Sequence, residues 1–132
     1  MKNKSEFKII KITSSSNPNN IFNSTKFSLL GQSINIHYNE YMMIIQGDIK
    51  PKTTLSKNVE TDIFNFSEVT SLTHSFDNTD SPLTVITRGI SGRNLYIDNK
   101  RIYFYDATYA WGFGTNNESV RLDLVIPFDL TT

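Results

Sequence analysis

Val120, Leu122, Leu124 and Ile126 alternate with Arg121, Asp123 and Val125. Apolar residues at a spacing of two predict a strand with one face buried. Ile34, Ile36 and Tyr38 repeat the pattern around Asn35 and His37. Tyr41 to Ile49 is apolar on both faces at its start, which suits a central strand, and Gly47 within it predicts a bulge or a close backbone approach. Thr61 to Phe66, Leu83 to Arg88, Asn94 to Ile97 and Arg101 to Tyr105 read as further short strands. No helical stripe runs through Phe64 to His74, which has room for one helical turn, and no internal repeat is visible.

The breaks carry turn chemistry. Asp98-Asn99-Lys100 separates two β-rich runs and predicts a tight hairpin, because Asn and Asp tolerate left-handed backbone. Asp77 to Pro82 and Gly112 to Asn117 are polar loops. About eight short strands with turns between them describe an all-β, antiparallel sandwich or barrel. Residues 21–132 form this β-sandwich domain. Residues 1–20 precede it as an N-terminal strand or docking arm, with Ser14 to Asn20 as a polar loop or linker. The arm has two readings, a holder for a partner subunit or an edge strand of the same sheet.

Composition supports β: the chain is rich in Ile, Thr, Phe and Tyr and poor in Ala. Its 132 residues fit one domain. With no cysteine, disulfides, thiol nucleophiles and thiolate metal sites are excluded. Lys plus Arg is 13 and Asp plus Glu is 13, so the basic excess expected of a nucleic-acid binder is absent. No apolar run reaches membrane-spanning length, and Phe7 to Ile12 is broken by Lys8 and Lys11, unlike a secretory signal.

Enzyme signatures are thin. His37 falls on the polar side of its strand and His74 in a Ser/Thr-rich stretch, neither with a partner at metal-ligand spacing. Gly89-Ile90-Ser91-Gly92-Arg93 lacks the Lys-Ser/Thr ending of a phosphate loop. Asp77 and Asp80 carry oxygen ligands in one loop without the full calcium-loop pattern, and Glu60 and Asp62 share a strand face that reads as well as a solvated edge. The expectation is therefore a module with no catalytic residues, metal or cofactor.

Aromatic residues are the remaining signal. Ile102 and Phe104 read as core, which puts Tyr103 and Tyr105 on the opposite face. Tyr109, Trp111 and Phe113 alternate with Ala110 and Gly112. Tyr103, Tyr105, Tyr109 and Trp111 are the candidate ligand-binding residues, because flat rings beside polar donors suit a sugar face or a protein interface. The competing reading places Trp111 in the sandwich core.

The layout from Gly31 onward resembles the head domains of phage tail and baseplate receptor-binding proteins. Tyr41-Met42-Met43-Ile44-Ile45-Gln46-Gly47-Asp48-Ile49 is similar to their opening strand, Gly92 to Tyr105 to their late hairpin and Ser119 to Leu130 to their terminal strand. That resemblance implies a jelly-roll-like sandwich displayed on a virion, often as a homotrimer. Such a module contacts cell-wall polysaccharide or neighbouring tail and baseplate proteins. A non-viral carbohydrate-binding module is the alternative.

Overall fold

The protein is described by a computed structural model that covers residues 4–78, 83–87, 93–112 and 119–132, with the side chains of 83–87 and Arg93 excepted. The described strands are β1 (Lys8–Ile12), β2 (Phe27–Tyr38), β3 (Met42–Pro51), β4 (Thr61–Asn65), β5 (Ser75–Phe76), β6 (Leu83–Thr87), β7 (Arg93–Asp98), β8 (Arg101–Phe104) and β9 (Val120–Asp129). The fold is all-β, as the alternation predicts. Every strand pair among them is antiparallel.

The strand order is β1-β2-β3-β9-β6-β7-β8-β4, with β5 on the end of β9. One layer is β1-β2-β3-β9 and the other is β7-β8-β4. β6 belongs to both: Leu83 to Val85 pair with β7, while Ile86 and Thr87 pair with β9. A strand that changes layers makes the corner of a sandwich. β3 pairs with β9 and the next strand, β4, pairs with β8. Two chain arms thus cross between the layers side by side, which is a jelly-roll-like winding.

Alternation sets which side of each strand is buried. Val120, Leu122, Leu124, Ile126 and Phe128 point into the core, and Arg121, Asp123, Val125 and Pro127 point out. Ile34, Ile36, Met43, Ile45 and Ile49 line the same core from β2 and β3, and Ile63, Phe64, Leu95, Ile97, Ile102 and Phe104 from the facing layer. Between the layers eight buried rings run in one file. Phe128 stacks on Phe76 at 5.6 Å. Phe76 meets Phe66 edge-on at 5.8 Å, and Phe66 stacks on Phe64 at 6.0 Å. Phe64 leads to Phe22 at 5.7 Å, Phe22 to Phe27 at 6.5 Å and Phe27 to Trp111 at 5.5 Å. Trp111 closes on Phe104 at 5.2 Å.

β2 begins earlier than the sequence pattern suggests. Its pairing with β3 slips between Leu30 and Asn35, where Gly31 takes a positive φ of 75°. Opposite the slip is Gly47, where a Cβ would stand 3.1 Å from Ile34 Cα and 3.0 Å from Ile34 Cγ1. The glycine is needed for the close approach that the sequence led one to expect.

Residues 4–20 do not stand apart from the sandwich. β1 pairs along its length with β2, and Ile12 is buried in the common core. Ser14 to Asn20 forms a built turn: Asn17 Nδ2 donates to Phe22 O at 2.7 Å, and Phe22 N donates to Asn17 Oδ1 at 3.0 Å. That clamp delivers Ile21 to Asn23 onto the outer edge of β4. There Asn23 N donates to Ile63 O and Asn65 N to Ile21 O, each at 2.9 Å. The segment from Phe66 to Leu72 is two tight turns, with Val69 N bonded to Phe66 O and Leu72 N to Val69 O. Residues 79–82, 88–92 and 113–118 lie outside the described residues, and with them Asp80, most of Gly89 to Arg93 and Phe113.

Two substitutions test this packing by chemical denaturation followed by circular dichroism. Trp111→Ala, which empties a fully buried site, is expected to cost about 3–5 kcal/mol. Gly47→Val, which drives side-chain carbon into Ile34, is expected to cost about 1–3 kcal/mol.

Candidate functional site

The sharp turn after β7 builds the site. Asn99 takes a positive φ of 57°, and Asp98 pairs directly with Arg101. Register follows from there: Ile97 faces Ile102, and Tyr96 faces Tyr103. With Leu95, Ile97, Ile102 and Phe104 buried, the alternate residues Tyr96, Asp98, Arg101, Tyr103 and Tyr105 come to the outer face. The turn is anchored behind by Phe76 N to Asn99 O at 2.7 Å, Ser75 Oγ to Asn99 Oδ1 at 2.6 Å and Phe66 N to Lys100 O at 2.8 Å.

Arg101 organises the face. Its Nη2 donates to Glu60 Oε1 at 2.6 Å and its Nη1 to Asp62 Oδ1 at 2.9 Å, and Asp98 Oδ2 stands 3.6 Å from Nη2. The guanidinium carbon lies 4.0 Å from the centre of the Tyr103 ring. Burial works against this charge, but hydrogen bonds and attraction from Glu60 and Asp62 outweigh it and hold the Arg101 pKa above its ordinary value. Burial first, and then the Glu60 charge, raise the Tyr103 phenol above its usual range. Tyr96 stacks on Tyr103 at 5.7 Å and meets Tyr105 edge-on at 6.3 Å. The result is a half-exposed layer of three tyrosines and one arginine, bordered by three carboxylates.

The four predicted binding residues separate. Tyr103 and Tyr105 join this layer, although Arg101 and Tyr96 both lie against Tyr103. Tyr109 is 68% exposed on the following loop, where Asp106 Oδ1 accepts Thr108 N at 2.8 Å and Tyr109 N at 2.9 Å. Trp111 takes the core position that competed with the ligand reading: it is 0% exposed, held between Phe27 and Phe104, and has no face to offer a ligand. The alternation that grouped it with Tyr109 assumes a strand, but among the described residues the chain there makes only an isolated bridge to Leu55. Tyr96 and Arg101 were missed. The signal was present, since a tight turn at Asn99 and buried Leu95 and Ile97 place Tyr96 opposite Tyr103.

A concavity of about 250 Å³ lies at the pole where β1 begins and β9 ends. Tyr38, Leu72 and Phe128 form its buried apolar floor, and Lys4, Glu40 and His74 stand on its rim. Asn39 Nδ2 donates to Ser5 O at 3.0 Å and Glu40 N to Lys4 O at 3.3 Å, so the N-terminal segment forms one wall. Tyr38 Oη and Ser71 Oγ are hydrogen-bonded at 2.6 Å. His74 Nδ1 is 2.9 Å from Thr132 O, which occupies that nitrogen. His37 lies on the outer face of β2, away from this groove. Among the described residues, no group of three His, Cys, Asp or Glu is placed to hold a metal.

The Arg101 network is testable by a double-mutant cycle of Arg101→Met with Asp62→Asn. A coupling of about 1 kcal/mol is expected in denaturant unfolding, falling with added salt, because the pair is hydrogen-bonded and only partly exposed. Against family models, curated proteins and solved structures, the chain finds no match.

Proposed function

We propose that this chain is a non-catalytic connecting module that docks a neighbouring protein through the outer face of β7 and β8, in the setting of a phage tail or baseplate. The supporting observation is the Tyr96-Tyr103-Tyr105-Arg101 layer. Tyrosine and arginine dominate the energetics of protein interfaces, where an apolar body and a polar tip are both used. Here they are already ordered by stacking and by three carboxylates, so docking costs little side-chain entropy. With Tyr103 flanked by Arg101 and Tyr96, the layer offers edges and hydroxyls more than open ring faces. That suits a protein surface better than a sugar ring. The phage setting rests on the likeness of strand layout from Gly31 onward.

Tyr109 favours a second reading, a carbohydrate-binding module. Its loop is pinned by Asp106 while the ring stands in solvent, which is how a sugar-stacking residue is presented.

Pairwise binding of the purified chain to the proteins encoded beside it, and separately to cell-wall polysaccharide, distinguishes the readings. The connecting role predicts a protein partner whose affinity falls more than about tenfold in Tyr103→Ala/Tyr105→Ala, since interface tyrosines are frequent hot spots. It also predicts indifference to Tyr109→Ala. Polysaccharide binding abolished by Tyr109→Ala, with no protein partner, would replace that role with the second reading.

A further inference from the structure

The other layer presents its own outer face, and the strand register orders it into rows. Ile9 pairs with His37, His37 with Ile44 and Ile44 with Val125. These four residues lie in one line across β1-β2-β3-β9. Ile9 is 67% exposed and Val125 62% exposed, at the two ends of the line. The next row on the same face is Lys11, Asn35, Gln46 and Asp123, again by direct pairing. It is polar throughout, carries a cation at one end and an anion at the other, and Lys11 and Asp123 are both exposed. In the row beyond, Arg121 Nε and Asp48 Oδ1 stand 3.5 Å apart, so those charges answer each other within the chain.

We infer that this face is a self-complementary interface for a second copy of the chain, related by a two-fold axis parallel to the strands and lying between β2 and β3. Rotation about that axis exchanges β1 with β9 and β2 with β3 while keeping each row at its own level. Ile9 then meets the partner's Val125, and His37 the partner's Ile44. Lys11 meets the partner's Asp123, and this ion pair forms twice. A two-fold axis across the strands would instead lay each strand over its own copy, so Lys11 on β1 would not meet Asp123 on β9. The match is therefore specific to one operator, as an isologous contact requires. Strands of the two copies run within about 30° of one another, the ordinary angle for stacked sheets.

The size of the face sets the strength. Strands about 4.8 Å apart, five residues long in β1 and ten to twelve in β2, β3 and β9, at about 3.3 Å per residue cover roughly 500–600 Å² per copy. Two copies then bury roughly 1,000 Å², near the lower limit for a specific interface, so association in the micromolar range is expected.

Sedimentation equilibrium of the full chain, from about 1 µM to a few hundred µM, tests this directly. A reversible monomer–dimer equilibrium is expected, weakened more than about tenfold by Val125→Asp, by Lys11→Asp and by Asp123→Lys. Circular dichroism shows whether each exposed-site variant stays folded. The decisive arm is a mixture of Lys11→Asp and Asp123→Lys. One copy then carries acids at both ends of the polar row and the other bases, so the mixture should restore dimers that neither variant forms alone. A monomer over the whole range, a three-fold species, a dimer indifferent to the charge changes, or a mixture that stays monomeric would each overturn the proposal. None of these outcomes bears on the tyrosine face, which lies on the opposite layer.

Discussion

Contact between Trp111 and its two neighbours, Phe27 of β2 and Phe104 of β8, ties one layer of the sandwich to the other. The rest of the ring file extends that tie through Phe22, Phe64, Phe66 and Phe76 to Phe128 on β9. Rings bury more area per residue than aliphatic side chains and add a geometric preference for tilted and stacked pairs. Cross-layer contact of this kind is what a chain of 132 residues with no cysteine has in place of a covalent staple. Both outer faces depend on it, since each exists only while its inner residues are held against the opposite layer.

That dependence explains what local sequence pattern reveals. β9 was legible residue by residue, because it is half-buried along its length and period-two alternation reports half-burial directly. The separation of Ile102 and Phe104 from Tyr103 and Tyr105 was legible for the same reason. The early part of β2 was not, because the slip opposite Gly47 breaks the alternation from Leu30 to Asn35. For Trp111 local pattern leaves core and ligand face both open, because residues 109–112 lie in no named strand and its burial is decided by distant Phe27 and Phe104. Residues 1–20 read equally as a docking arm or an edge strand because Ser14 to Asn20 is polar; Asn17 uses that polarity to bind Phe22 and turn the chain back onto β4.

Features that depend on pairing between distant strands are invisible to any window of sequence. Asp62 and Arg101 are 39 residues apart, and only the β4–β8 ladder makes them neighbours. Ile9 and Val125 share a row only through two intermediate strands. One hint was available nonetheless. Met42 and Ile44 make β3 apolar on its outward side as well as its inward side, and the structure places that side on an open face rather than under a third layer.

The antiparallel ladder of the first layer has a geometric result for how the domain can be held. Lys8 stands beside Tyr38 at the end of β2, and Met42 at the start of β3 stands beside Pro127 near the end of β9. β1 therefore enters, and β9 leaves, at one pole, where His74 also meets Thr132. Any tether joined near Lys4 or Thr132 would depart from that pole, like a stalk under a two-sided sign. It would leave both broad surfaces clear, whereas a load drawn between the two tethers would peel β1 from its edge instead of shearing the sandwich.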